Sequence, residues 1–261
     1  MQTTNIISLR TVDEGRGVPL VFVHGFPLSR GVWHPQIDAF RSSHRVIAPD
    51  LPGFGESDAR PGPTTMAAFA ADVRALLQQL ATGPVVLVGH SMGGYVALAF
   101  ARQCPEMLRG LVLVGTKAGP DAPDAATGRR ATAEKVKTDG VQVVIESMAP
   151  KMLAAGNHDT RMMEQVRAFM ASSTPAGVVG ALLGMAERPD ATALLGQIVV
   201  PTLVITGAND MLVPPAESTK LAEAIEGAQL NVIADAGHLV AFEQPYPFNR
   251  ALEEWLDRAA L

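Results

Sequence analysis

The stretch Val85-Val86-Leu87-Val88-Gly89-His90-Ser91-Met92-Gly93-Gly94 sets an apolar run directly before a glycine-rich turn of the form G-x-S-x-G. The apolar positions that resume after the turn have helical spacing, so the pattern predicts a strand, a sharp turn and a helix in that order. Gly89 and Gly93 leave room where side chains would clash, and such a turn lifts Ser91 above the strand end. There the hydroxyl meets a helix N-terminus, whose free N–H groups and dipole favour negative charge developing nearby.

Short runs rich in Val, Ile and Leu recur along the chain, at residues 20–23, 46–48, 85–88, 111–114, 202–205 and 230–233. Continuous apolar runs, as opposed to alternation, mark strands of a parallel sheet covered on both faces. Residues 6–12 add a candidate antiparallel edge. Between the runs, residues 65–80 carry Phe69, Val73, Leu76, Leu77 and Leu80 at three- and four-residue steps, an apolar stripe able to cover a sheet. Residues 91–102, 216–225 and 247–258 are patterned similarly. The expected fold class is α/β, a doubly wound and mostly parallel sheet.

The alternation breaks between about Lys117 and Gln197, where helical patterns continue without a comparable strand run. The expected organisation is one core domain, residues 1–116 and 198–261, with residues 117–197 inserted as a helical cap. That segment holds Met148, Met152, Met162, Met163, Met170 and Met185, side chains that adapt to irregular apolar shapes. They read either as filling between cap and sheet or as the wall of an acyl or alkyl pocket without a charged anchor.

Composition narrows the classes further. A chain of 261 residues, 48% hydrophobic and 18% charged, has the material for a large core, which excludes disorder and fibrous repeats. A net charge of -5 supplies no basic field for nucleic acid. The single cysteine, Cys104, forms no intramolecular disulfide. No run approaches the length of a membrane span, and the start MQTTNIISLR lacks a signal-peptide pattern, so a cytoplasmic protein without membrane partners is expected. The six histidines are scattered without metal-ligand spacing, and the glycine-rich turn lacks the Lys-Ser/Thr ending of a P-loop, so no metal or cofactor is expected.

Four further segments give the chain a recognisable set. His24-Gly25-Phe26-Pro27 follows an early run, Asp50-Leu51-Pro52-Gly53-Phe54-Gly55-Glu56-Ser57 the next, Gly207-Ala208-Asn209-Asp210 with Val213-Pro214 a late one, and Ala236-Gly237-His238 the last. Together with Gly-His-Ser-Met-Gly-Gly, they resemble the α/β-hydrolase fold family, in the group of small capped serine esterases and lactonases. The resemblance spans almost the whole chain.

A serine hydroxyl is a poor nucleophile at neutral pH and needs a base within hydrogen-bond reach, itself oriented by an acid. The family supplies these in the order serine, acid, histidine. The resemblance therefore implies Ser91 as nucleophile, Asp210 as acid and His238 as base. Some members carry the acid one strand earlier, but there this chain reads Val114-Gly115-Thr116-Lys117, with no carboxylate until Asp121. Asp235 and Glu243 remain weaker substitutes. The implied oxyanion hole consists of the backbone N–H groups of Phe26 and Met92. His24 and His90 read as braces under the site, and His34, His44 and His158 as surface residues. Trp33, Met148, Met152 and Leu239 are the candidate pocket residues.

The expected activity is hydrolysis of small to medium carboxylic esters through an acyl-enzyme, with a small-molecule ester or lactone as substrate and no nucleic-acid or membrane partner. The same triad also serves enol-lactone hydrolases, carbon–carbon bond hydrolases, cofactor-free perhydrolases and slow-turnover ligand receptors. The fold alone does not choose among them, and oligomeric state is not legible.

Overall fold

The computed structural model describes residues 7–261. Seven strands, β1 (Thr11–Glu14), β2 (Pro19–Val23), β3 (Arg45–Pro49), β4 (Val85–His90), β5 (Leu108–Val114), β6 (Thr202–Gly207) and β7 (Gln229–Ile233), form one sheet in the order β1-β3-β2-β4-β5-β6-β7. All pairings are parallel except β1 with β3, where Thr11 lies opposite Pro49 and Glu14 opposite Val46. The antiparallel edge thus exists, but it starts later than the 6–12 run suggests, and Ile6 lies outside the described residues. All six apolar runs are strands.

Helices cover both faces, which is why the central strands show no alternation: every residue of β2, β4 and β6 is buried. On one face α2 (Met66–Gln79) and α3 (Met92–Gln103) pack Phe69, Val73, Leu77 and Phe100 against Val21, Leu87 and Leu113. The Thr65 hydroxyl starts α2 by accepting the Ala68 N–H at 3.1 Å. On the other face α1 (His34–Phe40) and α11 (Pro245–Ala259) bring Ile37, Phe248, Leu252 and Trp255 onto Phe22, Val88 and Val112.

The expectation of two covered faces fails at β7. Leu230 and Val232 are 38% and 50% exposed, because β7 is the last strand of the sheet and α9 (Pro215–Ala224) and α11 reach only part of it.

Between β5 and β6 the chain forms α4 (Pro123–Asp139), α5 (Gln142–Met148), α6 (Thr160–Ala171), α7 (Pro175–Ala186) and α8 (Thr192–Leu195). A seam of glycines fixes this helical layer to the sheet-bearing part. A Cβ on Gly177 would collide with Gly53, and one on Gly184 with the Thr64 carbonyl. Backbone bonds from Thr174 N–H to Gly53 C=O (2.9 Å) and from Thr64 N–H to Gly180 C=O (2.9 Å) close the seam.

The strand order reverses between β2 and β4, since the chain leaves β2 toward β3 and returns on the other side. A crevice opens where the loops after these two strands diverge, at the carboxyl ends of the sheet. The short helix α10 (Val240–Glu243) follows the loop that leaves β7 and precedes α11.

Candidate active site

Ser91 stands between β4 and α3 with φ 53° and ψ -115°, backbone that an L-residue adopts only where its surroundings impose it. Those surroundings are two glycines and two hydrogen bonds. A Cβ on Gly89 would collide with the Gly93 carbonyl, and one on Gly93 with the Val23 carbonyl. The Ser91 N–H donates to Val114 C=O at 2.8 Å, and the Thr116 hydroxyl donates to Ser91 C=O at 2.8 Å. The turn is thus held by β2 on one side and β5 on the other.

Asp210 follows β6 and His238 follows β7, and the ring Nδ1 lies 2.8 Å from the Asp210 Oδ2. Both side chains are almost completely buried. Burial pushes the Asp210 carboxyl up, but the charge and hydrogen bond of His238 together with the Val213 and Leu212 N–H groups (2.9 and 2.8 Å) outweigh it and hold it below the ordinary carboxylate value. With Asp210 ionised, Nδ1 carries the proton and Nε2 is left as the acceptor. Ser91, Phe26 and His238 open into one cavity of about 610 Å³. The N–H groups of Phe26 and Met92 donate to nothing else among the described residues.

Two buried histidines brace these loops. The Leu51 N–H donates to His24 Nε2 at 3.0 Å, so its Nδ1 keeps the proton and donates to Gly25 C=O at 2.8 Å. His90 Nε2 donates to His238 C=O at 2.8 Å, and its ring lies 4.7 Å from the His238 ring. Burial first, and then the neighbouring His238, lower His90 to about 3, so it is a neutral support. Asp50 accepts the Arg30 and Glu56 N–H groups (2.7 and 2.9 Å), which gives the 50–57 turn a structural role. His34 and His158 are exposed, whereas His44 is half-buried.

Of the four candidate pocket residues only Met148 reaches the cavity. Trp33 is buried under the sheet between Phe22 and Phe248, with ring centroids 5.1 and 6.2 Å away. Met152 and Leu239 are joined through backbone, Leu239 N–H to Met152 C=O at 2.8 Å, and both side chains sit in the same core cluster as Trp33. Their apolar character goes to packing. Met185 lines the cavity, while Met170 is buried in the core.

The expectation of a cavity without a charged anchor is also corrected. Lys117, Asp121 and Arg129 line it, along with Tyr95 and Glu217. The Asp121 side chain is 2% exposed and takes Arg129 Nε at 2.5 Å, Arg188 Nη1 at 3.4 Å and Lys117 Nζ at 3.6 Å. Arg188 stacks on the Tyr95 ring at 3.8 Å and donates to Gly119 C=O. Burial pushes Asp121 up, but the hydrogen bond from Arg129 and the three positive charges leave it below the usual range. Only the proximity of Lys117 and Asp121 in sequence hints at this cluster.

Glu243 also acts where sequence reading did not place it. Instead of approaching His238 as an acid, its buried carboxylate accepts the N–H groups of Gly237 (2.6 Å) and Ala154 (2.9 Å) and the Asn157 amide (2.7 Å). It ties the loop carrying His238 to the helical layer.

A family model described as alpha/beta hydrolase fold matches residues 18–245, and the chain belongs to that family. A thermophilic esterase from Thermogutta terrifontis, solved with malate bound, is similar with a TM-score of 0.95 at 44% identity, over 97% of this chain and 94% of that one. The enol-lactonase of Burkholderia xenovorans LB400 is similar with a TM-score of 0.89 at 25% identity, over 96% and 97%. An (E)-2-((N-methylformamido)methylene)succinate hydrolase of Acinetobacter baylyi is 26% identical over 260 residues, 98% of this chain and 97% of that protein.

Proposed function

We propose that this α/β-hydrolase cleaves small to medium carboxylic esters through an acyl-enzyme formed on Ser91. The observation that carries the reading is that His238, hydrogen-bonded to Asp210 at 2.8 Å, lines the same cavity as Ser91 on its constrained turn. His238 Nε2 takes the Ser91 proton as Oγ attacks the ester carbonyl, and Asp210 keeps the ring in the required tautomer and offsets its charge. The two undonated N–H groups, Phe26 and Met92, receive the oxyanion. Collapse of the tetrahedral adduct expels the alcohol with the proton from His238, and water then repeats the sequence on the acyl group.

The helices α4–α8 act in this reading as the cap that closes the cavity. Lactones run through the same steps with the alcohol tethered, and the likeness to an enol-lactonase supports including them. The test is turnover of p-nitrophenyl esters from acetate to dodecanoate by the wild type and by Ser91→Ala. The variant is expected to stay folded and lose on the order of 10⁴-fold in kcat or more. Near wild-type turnover in Ser91→Ala would refute the assignment.

A further inference from the structure

The chain carries a net charge of -5, yet one wall of the cavity that holds Ser91 is cationic. Three positive groups, Lys117, Arg129 and Arg188, surround a single carboxylate, Asp121, and both oxygens of that carboxylate are taken. The other carboxylate on the lining is Glu217, which is paired with Lys220 at 2.6 Å. The wall therefore keeps positive charge that the protein itself does not balance.

That surplus is placed for a ligand. Arg129 spends only Nε on Asp121, and its two terminal nitrogens donate to nothing among the described residues. Lys117 Nζ stands 3.6 Å from Asp121, an ion pair without a hydrogen bond. Both side chains are 26% exposed and face the cavity, whereas Arg188, 4% exposed and stacked on Tyr95, is the fixed structural member. A planar guanidinium with both terminal nitrogens free, oriented through Nε by a buried carboxylate, suits a second carboxylate.

We infer that Lys117 and Arg129 form an anion subsite of the cavity, and that the preferred substrates are esters or lactones carrying a carboxylate away from the bond that is cleaved. This rests on the ester-hydrolase reading and adds the substrate class to it.

The test compares two pairs of esters: mono-p-nitrophenyl glutarate with its methyl ester, for a charge on the acyl side, and 4-acetoxybenzoate with its methyl ester, for a charge on the alcohol side. At least one charged member should exceed its neutral partner in kcat/KM by on the order of 10-fold or more, the worth of a charge-assisted hydrogen bond. That ratio should fall toward one in Arg129→Met and Lys117→Met, and Arg129→Lys should restore part of it. Variants that lower both members of a pair equally would show a merely structural cluster and overturn the inference. Ser91-dependent turnover with no charge preference in either pair would also overturn it, leaving the ester-hydrolase reading intact. Calorimetric titration of Ser91→Ala with the same pairs reads binding without turnover, and equal affinities for charged and neutral members would overturn the subsite even if no ester were cleaved.

Discussion

The buried His90 makes the protein sensitive to acid in a way that a single substitution isolates. In the unfolded chain a histidine takes a proton near pH 6.5, whereas in the fold burial and the adjacent His238 lower His90 to about 3. Between those values the unfolded chain binds a proton that the folded chain refuses. The contribution to stability is thus fully present above the unfolded value and is lost as pH falls through this window. At about 1.4 kcal/mol per pH unit below the unfolded value, His90 alone removes about 2 kcal/mol between pH 7.5 and pH 5. His90→Gln keeps an amide able to donate to His238 C=O and removes the titration. Its packing loss is the same at every pH, and His24, which burial also lowers, contributes equally to both proteins. Urea unfolding at pH 7.5, 6.5, 5.5 and 5.0, followed by far-UV circular dichroism, should show the wild type's advantage over the variant shrinking by about 2 kcal/mol across the series. A gap that stays constant would refute the view that His90 is buried neutral.

Other perturbations separate support from chemistry. Glu243→Gln places an amide donor against N–H groups that now have a carboxylate, and should lower stability by about 1–3 kcal/mol in urea unfolding. Gly93→Ala drives a Cβ into the Val23 carbonyl and should either prevent folding or cost about 1–3 kcal/mol or more, read as a lowered thermal midpoint. Gly128→Ala, within α4 and with nothing inside 4 Å of the added Cβ, should instead raise stability by about 0.5–1 kcal/mol in the same measurement.

The parts of the fold legible in sequence are those governed by periodicity and by backbone exclusion. Apolar runs locate strands because the central sheet is covered on both faces, and the reading weakens at β7, where cover ends and Leu230 and Val232 face solvent. Gly89 and Gly93 announce the turn under Ser91 because their missing side chains are a local necessity. Trp33, Met152 and Leu239 mislead for the opposite reason: an apolar side chain has the same appearance in sequence whether it fills a core or lines a pocket, and only the path of the chain decides. The charged wall is harder still. Lys117, Asp121, Arg129 and Arg188 follow no shared period, and what unites them is the packing of α4 against α7, which brings α4, the loop after β5 and the end of α7 together.

Gly115 shows how far a local absence reaches. It follows β5 with φ 50°, and a Cβ there would lie 3.3 Å from the Asp210 carboxylate and 3.5 Å from His238 Nδ1. A carboxylate-bearing side chain after β5 and the present Asp210–His238 pair would therefore compete for one space. Glycine at that position leaves the space to Asp210, which follows β6, and the next residues, Thr116 and Lys117, serve elsewhere. Thr116 holds the Ser91 carbonyl, and Lys117 turns into the cavity wall. The room for the Asp210–His238 pair and the cationic wall thus meet at the same turn after β5.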